Sequence, residues 1–126
     1  MSKIRIAIAG VGNCASSLLQ GLEYYRNHSA EALAGLMHPS IDGWGVTDVE
    51  VVAAFDVDRR KVGLPVEQAI FARPNCTKVF QRALPVSDVL VEKGPVLDGV
   101  PAHMEDYPED QAFRVSEAEP VDVARR

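Results

Sequence analysis

The chain has 126 residues, 13 lysines and arginines against 18 aspartates and glutamates, a net charge of -5, 47% hydrophobic residues and 25% charged ones. This length fits one domain, 1–126, with a real core but is short for a complete two-half dinucleotide fold, and the composition is that of a folded globular protein. The acidic balance, with no basic cluster beyond Arg59-Arg60-Lys61, argues against nucleic-acid or membrane-surface binding and favours a small-molecule partner. No apolar run approaches the roughly 20 residues needed to span a bilayer, so the cytoplasm is the default compartment. Cys14 and Cys76 stand outside any CxxC or metal-ligand spacing, which points to neither a zinc site nor a disulfide framework.

Residues 3–9 alternate and then become wholly apolar, the pattern of a parallel strand covered on both faces. From Asn13 to Arg26 the positions Cys14, Leu18, Leu22 and Tyr25, flanked by Ala15 and Leu19, recur at helical spacing and predict an amphipathic helix. The segment 27–48, with Gly35, Pro39, Gly43 and Gly45, has no sustained period. It reads as a long excursion with a short helix over Ala30–Leu36, tacked down by Trp44 and Met37. His28 and His38 within it are expected to be exposed loop histidines.

Val49–Asp56 is a second apolar, β-branched run and predicts a second buried parallel strand. Pro65 suits the first turn of a short helix through Val66, Ala69 and Ile70, ending near Arg73-Pro74. Val86–Val91 is a third strand candidate, and Pro101–Glu119 is expected to be mostly loop. Ser116-Glu117-Ala118-Glu119-Pro120 carries a capping pattern that predicts a helix start. Because a helix of about 6 residues buries no useful face and the first strand lacks a partner on its other side, the chain reads as cut off before the second half of its sheet.

Gly10-Val11-Gly12-Asn13-Cys14-Ala15 matches G-x-G-x-x-[GA]. In this pattern the first glycine permits a tight turn, the second lets a pyrophosphate approach the backbone, and the small third residue lets helix pack on strand. The motif follows a strand and opens a helix, and free amides with the helix dipole there favour an anion. Ser16 or Ser17 could add a hydroxyl contact, while Cys14 is expected to pack as a small apolar residue. Asp56, ending the second strand, is placed to accept hydrogen bonds from ribose hydroxyls and favours NAD over NADP. Asp58 is the rival acid, and Arg59, Arg60 and Lys61 beside it would tolerate a phosphate. Lys3, Lys61, Lys78 and Lys93 are scattered and read as solvated charges, His103 stands alone, and no catalytic set can be assembled.

Ile8–Tyr25 (IAGVGNCASSLLQGLEYY), Gly35-Leu36-Met37-His38, Val52–Asp58 (VAAFDVD) with Lys61-Val62-Gly63, Gly94–Gly99 (GPVLDG) and Ala118–Val123 (AEPVDV) together resemble the myo-inositol-phosphate synthases, particularly the prokaryotic, actinobacterial type. The resemblance runs in order over nearly the whole chain. It implies an α/β, partial Rossmann-like NAD-binding domain with a parallel sheet, whose cofactor residues are Gly10, Gly12, Asn13, Cys14, Ala15, Ser16, Asp56 and Asp58. It further implies conversion of D-glucose 6-phosphate to 1D-myo-inositol 3-phosphate with tightly held NAD, which oxidises a sugar hydroxyl, permits an intramolecular aldol closure and is returned to its starting state. The family protein is longer and a homotetramer, built largely through a second domain that carries its catalytic lysines. On this resemblance the 126-residue chain binds NAD without turnover; the alternative is a free-standing NAD-binding or regulatory module.

Overall fold

The structure, a computed structural model, describes residues 2–28 and 34–126. Strands β1 (Ile4–Ala9), β4 (Val49–Asp56) and β5 (Val91–Lys93) form one sheet in the order β1-β4-β5, with both pairings parallel. Between β1 and β4 run helix α1 (Asn13–Arg26) and a small antiparallel hairpin of β2 (Ser40–Ile41) and β3 (Trp44–Gly45). Helix α2 (Val66–Ala69) lies between β4 and β5. A parallel sheet with helical crossovers is the Rossmann-like α/β architecture. The register slips between Ile6 and Ala7, where Val52 is the extra residue of β4, and beyond this bulge Ile8, Ala54 and Val91 line up across the sheet. That row carries Val11, Ala15, Leu19, Val66, Ala69 and Ile70 as one buried cluster.

The bounds of β1, α1 and β4 follow the sequence pattern, whereas their burial departs from it. Ile8 is the one buried residue of β1, and Ile4, Arg5, Ala7 and Ala9 are exposed. β1 is an edge strand and the core cluster packs against the Ile8 face, so among the described residues no layer covers the other face. On α1 the buried residues are Ala15, Ser16, Leu19 and Gln20, while Cys14 is exposed and Leu18 is 43% exposed. The buried face is rotated toward two polar residues because Gln20 serves the backbone of a distant segment. Its Oε1 accepts from Phe80 N (2.8 Å) and Gln81 N (3.1 Å), and its Nε2 donates to Ser16 Oγ (3.1 Å) and Lys78 O (3.3 Å). A hydrophobicity count places such residues on the wet face; hydrogen-bond satisfaction puts them inside.

The excursion is partly regular. Asp42 (φ 49°) and Gly43 (φ 83°) make the tight turn of the β2–β3 hairpin, the left-handed pair that a two-residue hairpin loop needs. Trp44 is half-buried, but Met37, at 89% exposed, tacks nothing down. The helix expected over Ala30–Leu36 falls outside the described residues at 30–33.

The third strand is Val91–Lys93 rather than Val86–Val91. The backbone at 89–91 is drawn instead to the turn before α2, where Val66 N donates to Val89 O, Gly63 N to Val91 O and Val91 N to Leu64 O, each at 2.8 Å. Val86 is left 92% exposed. The helix expected at Ser116 does not form, since Ser116 N donates to Val57 O (2.8 Å) and Val115 bridges Asp58, which holds the chain extended. Asp122 instead caps a single 3-10 turn at Val123–Arg125. No helix among the described residues is long and apolar enough to cross a membrane.

Candidate functional site

The turn between β1 and α1 is held from below. Gly10 N donates to Phe55 O (2.8 Å), and Gly10 has φ +93°, a left-handed conformation that a side chain would strain. Gly12 is different. Its φ of −93° suits any residue, and a Cβ there would meet nothing within 4 Å. Neither its own backbone nor its neighbours require glycine, so the bare position keeps open space beside the turn, as an anion approaching the backbone demands. The first turn of α1 has no side-chain cap and no acid, which leaves its amide donors and the positive end of the helix dipole available.

Asp56 joins this turn to the end of β4. Its Oδ2 accepts from Val11 N (2.7 Å), and its Oδ1 from Val57 N (2.7 Å) and Asp58 N (2.8 Å). A carboxylate offers about four lone-pair sites, so Oδ2 keeps capacity for another donor. Beside it opens a crevice of about 360 Å³ lined by Gly10, Phe55, Asp56, Gly94, Pro95 and Leu97 among others. It lies at the carboxyl ends of β1, β4 and β5, the place where open parallel sheets take ligands, and it has the size and apolar character of a small-molecule site.

Of the expected cofactor residues, Gly10 and Asp56 line this crevice, and Gly12, Asn13, Cys14, Ala15, Ser16 and Asp58 do not. Asn13 turns its side chain to the segment 76–77, its Oδ1 accepting from Cys76 N (2.8 Å), Thr77 N (3.0 Å) and Thr77 Oγ1 (2.7 Å). Cys14 is exposed instead of packed, because it falls off the rotated buried face of α1. Ala15 sits in the core cluster and allows helix and strand to approach. Ser16 is buried with its hydroxyl accepting from Gln20, and so faces the protein interior. Asp58 has no exposed surface. Its oxygens take Arg60 N (2.8 Å), Arg60 Nε (2.9 Å), Arg60 Nη2 (2.7 Å) and Arg114 N (2.9 Å). Burial alone would raise the Asp58 pKa, but these bonds hold it below the ordinary carboxylate value, and the same pairing raises that of Arg60. Of the two rival acids, Asp56 alone meets the crevice. Arg59 and Arg60 are likewise engaged elsewhere, Arg59 with Glu109 (2.7 Å) and Arg60 with Asp58.

Lys61 overturns its reading as a solvated charge. It is 3% exposed, and its Nζ donates to Val11 O (2.8 Å) and Asn75 Oδ1 (2.7 Å). Asn75 Nδ2 donates to the same Val11 O (3.1 Å) and to Ile70 O (3.0 Å). Burial lowers the Lys61 pKa, opposed by the charges of Asp56 and Asp58. Within a charged run nothing local marks this lysine; the signal was its place in Lys61-Val62-Gly63, one of the stretches that carry the family resemblance.

No family model matches the chain. It is 49% identical over 98% of its length to the inositol-3-phosphate synthase of Mycolicibacterium smegmatis, of which it covers 32%. The chain spans about a third of the length of the curated relatives it matches. Among solved structures, Ari2 superposes with a TM-score of 0.69 at 39% identity, over 75% of this chain and 30% of that one. A myo-inositol-1-phosphate synthase-related protein from Thermotoga maritima shares the fold, with a TM-score of 0.54 at 21% identity over 90% of this chain and 26% of that one.

Proposed function

We propose that the glycine turn and Asp56 bind NAD for the reaction of an inositol-3-phosphate synthase, a reading supported by 47–49% identity to about a third of such enzymes. The observation that carries the reading is the position of one carboxylate: Asp56 holds the Val11 amide of the turn at 2.7 Å and also lines the apolar crevice. The free amides at the start of α1 and the open space at Gly12 suit the pyrophosphate, and the crevice and the remaining acceptor capacity of Asp56 suit the adenosine half. Bound NAD would supply reversible hydride acceptance for the conversion of D-glucose 6-phosphate to 1D-myo-inositol 3-phosphate. The residues of this chain bind and orient the cofactor, and the chain by itself is expected to show no turnover.

Calorimetry with NAD tests the binding. Asp56→Ala is expected to weaken it between a few-fold and about a hundredfold, the loss of charge-assisted hydrogen bonds worth roughly 1.5–3 kcal/mol. Equal affinity in the folded variant would remove Asp56 from the site. Formation of inositol phosphate from glucose 6-phosphate by the chain alone would overturn its assignment as a binding portion.

A further inference from the structure

We propose that Lys61 and Asn75 are positioning residues that aim the Gly12 amide at the pyrophosphate of the dinucleotide, a role that rests on the reading of the crevice as an NAD site. Val11 is gripped at both ends. Its N–H donates to Asp56 Oδ2 (2.7 Å), and its carbonyl accepts from Lys61 Nζ (2.8 Å) and Asn75 Nδ2 (3.1 Å). A trans peptide is planar, with C=O and N–H pointing in opposite directions. The Val11 carbonyl is turned inward onto two buried or half-buried side chains, so the Gly12 N–H of the same peptide plane points away from them. Among the described residues no group accepts from that N–H, and a Cβ built on the same residue would meet nothing within 4 Å. Released from Lys61 and Asn75, this peptide could rotate and present an oxygen to an incoming anion.

The burial of Lys61 supports the same assignment. A lysine 3% exposed is costly, and an apolar residue of similar volume usually serves a core as well or better. Both partners of its Nζ belong to the grip on Val11, one being the carbonyl itself and the other the side chain that shares it. An ammonium behind the peptide also polarises it, which strengthens the outward N–H as a donor.

The test compares NAD, ADP-ribose and adenosine on the wild-type chain and on Lys61→Met, with thermal unfolding to establish that the variant is folded. NAD and ADP-ribose are expected to bind about tenfold or more weakly to the variant, with adenosine within about twofold of wild type, since a positioning role touches only the pyrophosphate. Unchanged ADP-ribose affinity, or an equal loss for adenosine, would overturn the role while leaving the NAD site standing. If the wild type binds none of the three, the NAD reading fails and this role with it. A measurement independent of the variant is the Gly12 amide resonance of the wild-type chain, expected to shift with ADP-ribose and to stay in place with adenosine. A Gly12 amide indifferent to ADP-ribose sinks the proposal.

Discussion

Two carboxylates two residues apart, Asp56 ending β4 and Asp58 just beyond it, lead into regions of opposite character. Around Asp58 every polar group is answered: Arg60 and the Arg114 amide saturate its oxygens, Arg60 Nη2 donates onward to Ala112 O (2.7 Å), and Arg114 Nη2 to Tyr107 O (2.7 Å). The result is a clamp that ties the 105–116 segment to the sheet. Around Asp56 the bonding stops short, leaving an uncapped helix start, a Gly12 amide with no partner among the described residues and an open apolar crevice. The contrast separates stability from recognition, because donors left unanswered in an ordered setting are what a ligand can use.

The contrast can be broken most forcefully at Asp58. Asp58→Ala removes the acceptor shared by Arg60 N, Arg60 Nε and the Arg114 amide and is expected to destabilise the fold by about 3 kcal/mol, read from urea unfolding, while the folded fraction keeps its NAD affinity. The same carboxylate gives an acid limit. Its pKa is lower in the folded chain than its ordinary 3.8, so its stabilising contribution is complete above that value and is lost as pH falls through the folded-state value. Unfolding midpoints followed from pH 7 downward should therefore drop more steeply in wild type than in Asp58→Asn; parallel curves would contradict the clamp.

A smaller effect divides the two glycines of the turn. Gly10→Ala must adopt φ +93° and should lose roughly 1–2 kcal/mol of stability. Gly12→Ala meets no strain and no clash, and its gain in the unfolded state is offset by the poorer N-cap, so its Tm should stay close to wild type. Its methyl group occupies the space proposed for the pyrophosphate, and NAD binding should weaken by about tenfold or more. A Gly12→Ala protein that binds NAD normally would remove the ligand reading of that space. The smallest effect belongs to Arg59→Ala, which breaks a bridge to Glu109 between side chains 52% and 63% exposed. It should change stability by less than about 1 kcal/mol.

What the sequence showed divides along similar lines. Local periodicity located β1, α1 and β4 because each is set by its own run of residues, and the turn was legible because its glycines and following helix are contiguous. The rotation of α1 was hidden, since Ser16 and Gln20 are buried on account of backbone groups at 78–81. β5 was misplaced by several residues because the chain at 89–91 answers to the turn at 63–66, which no period in 86–91 encodes. Lys61 was misread for the same reason: its partners, Val11 and Asn75, lie 50 and 14 residues away.

The distances along the chain between those partners carry an entropic cost. The glycine turn is fastened by Asp56 to Val11 across 45 residues, by Lys61 across 50 and by Asn75 across 64. Closing loops of such length costs conformational entropy that the contacts must offset. The turn therefore exists as a binding surface only when both flanking segments have already docked, and any ligand that selects it draws the whole equilibrium toward the folded chain by mass action. Occupancy of the turn is thus a measure of how much of the chain has finished folding.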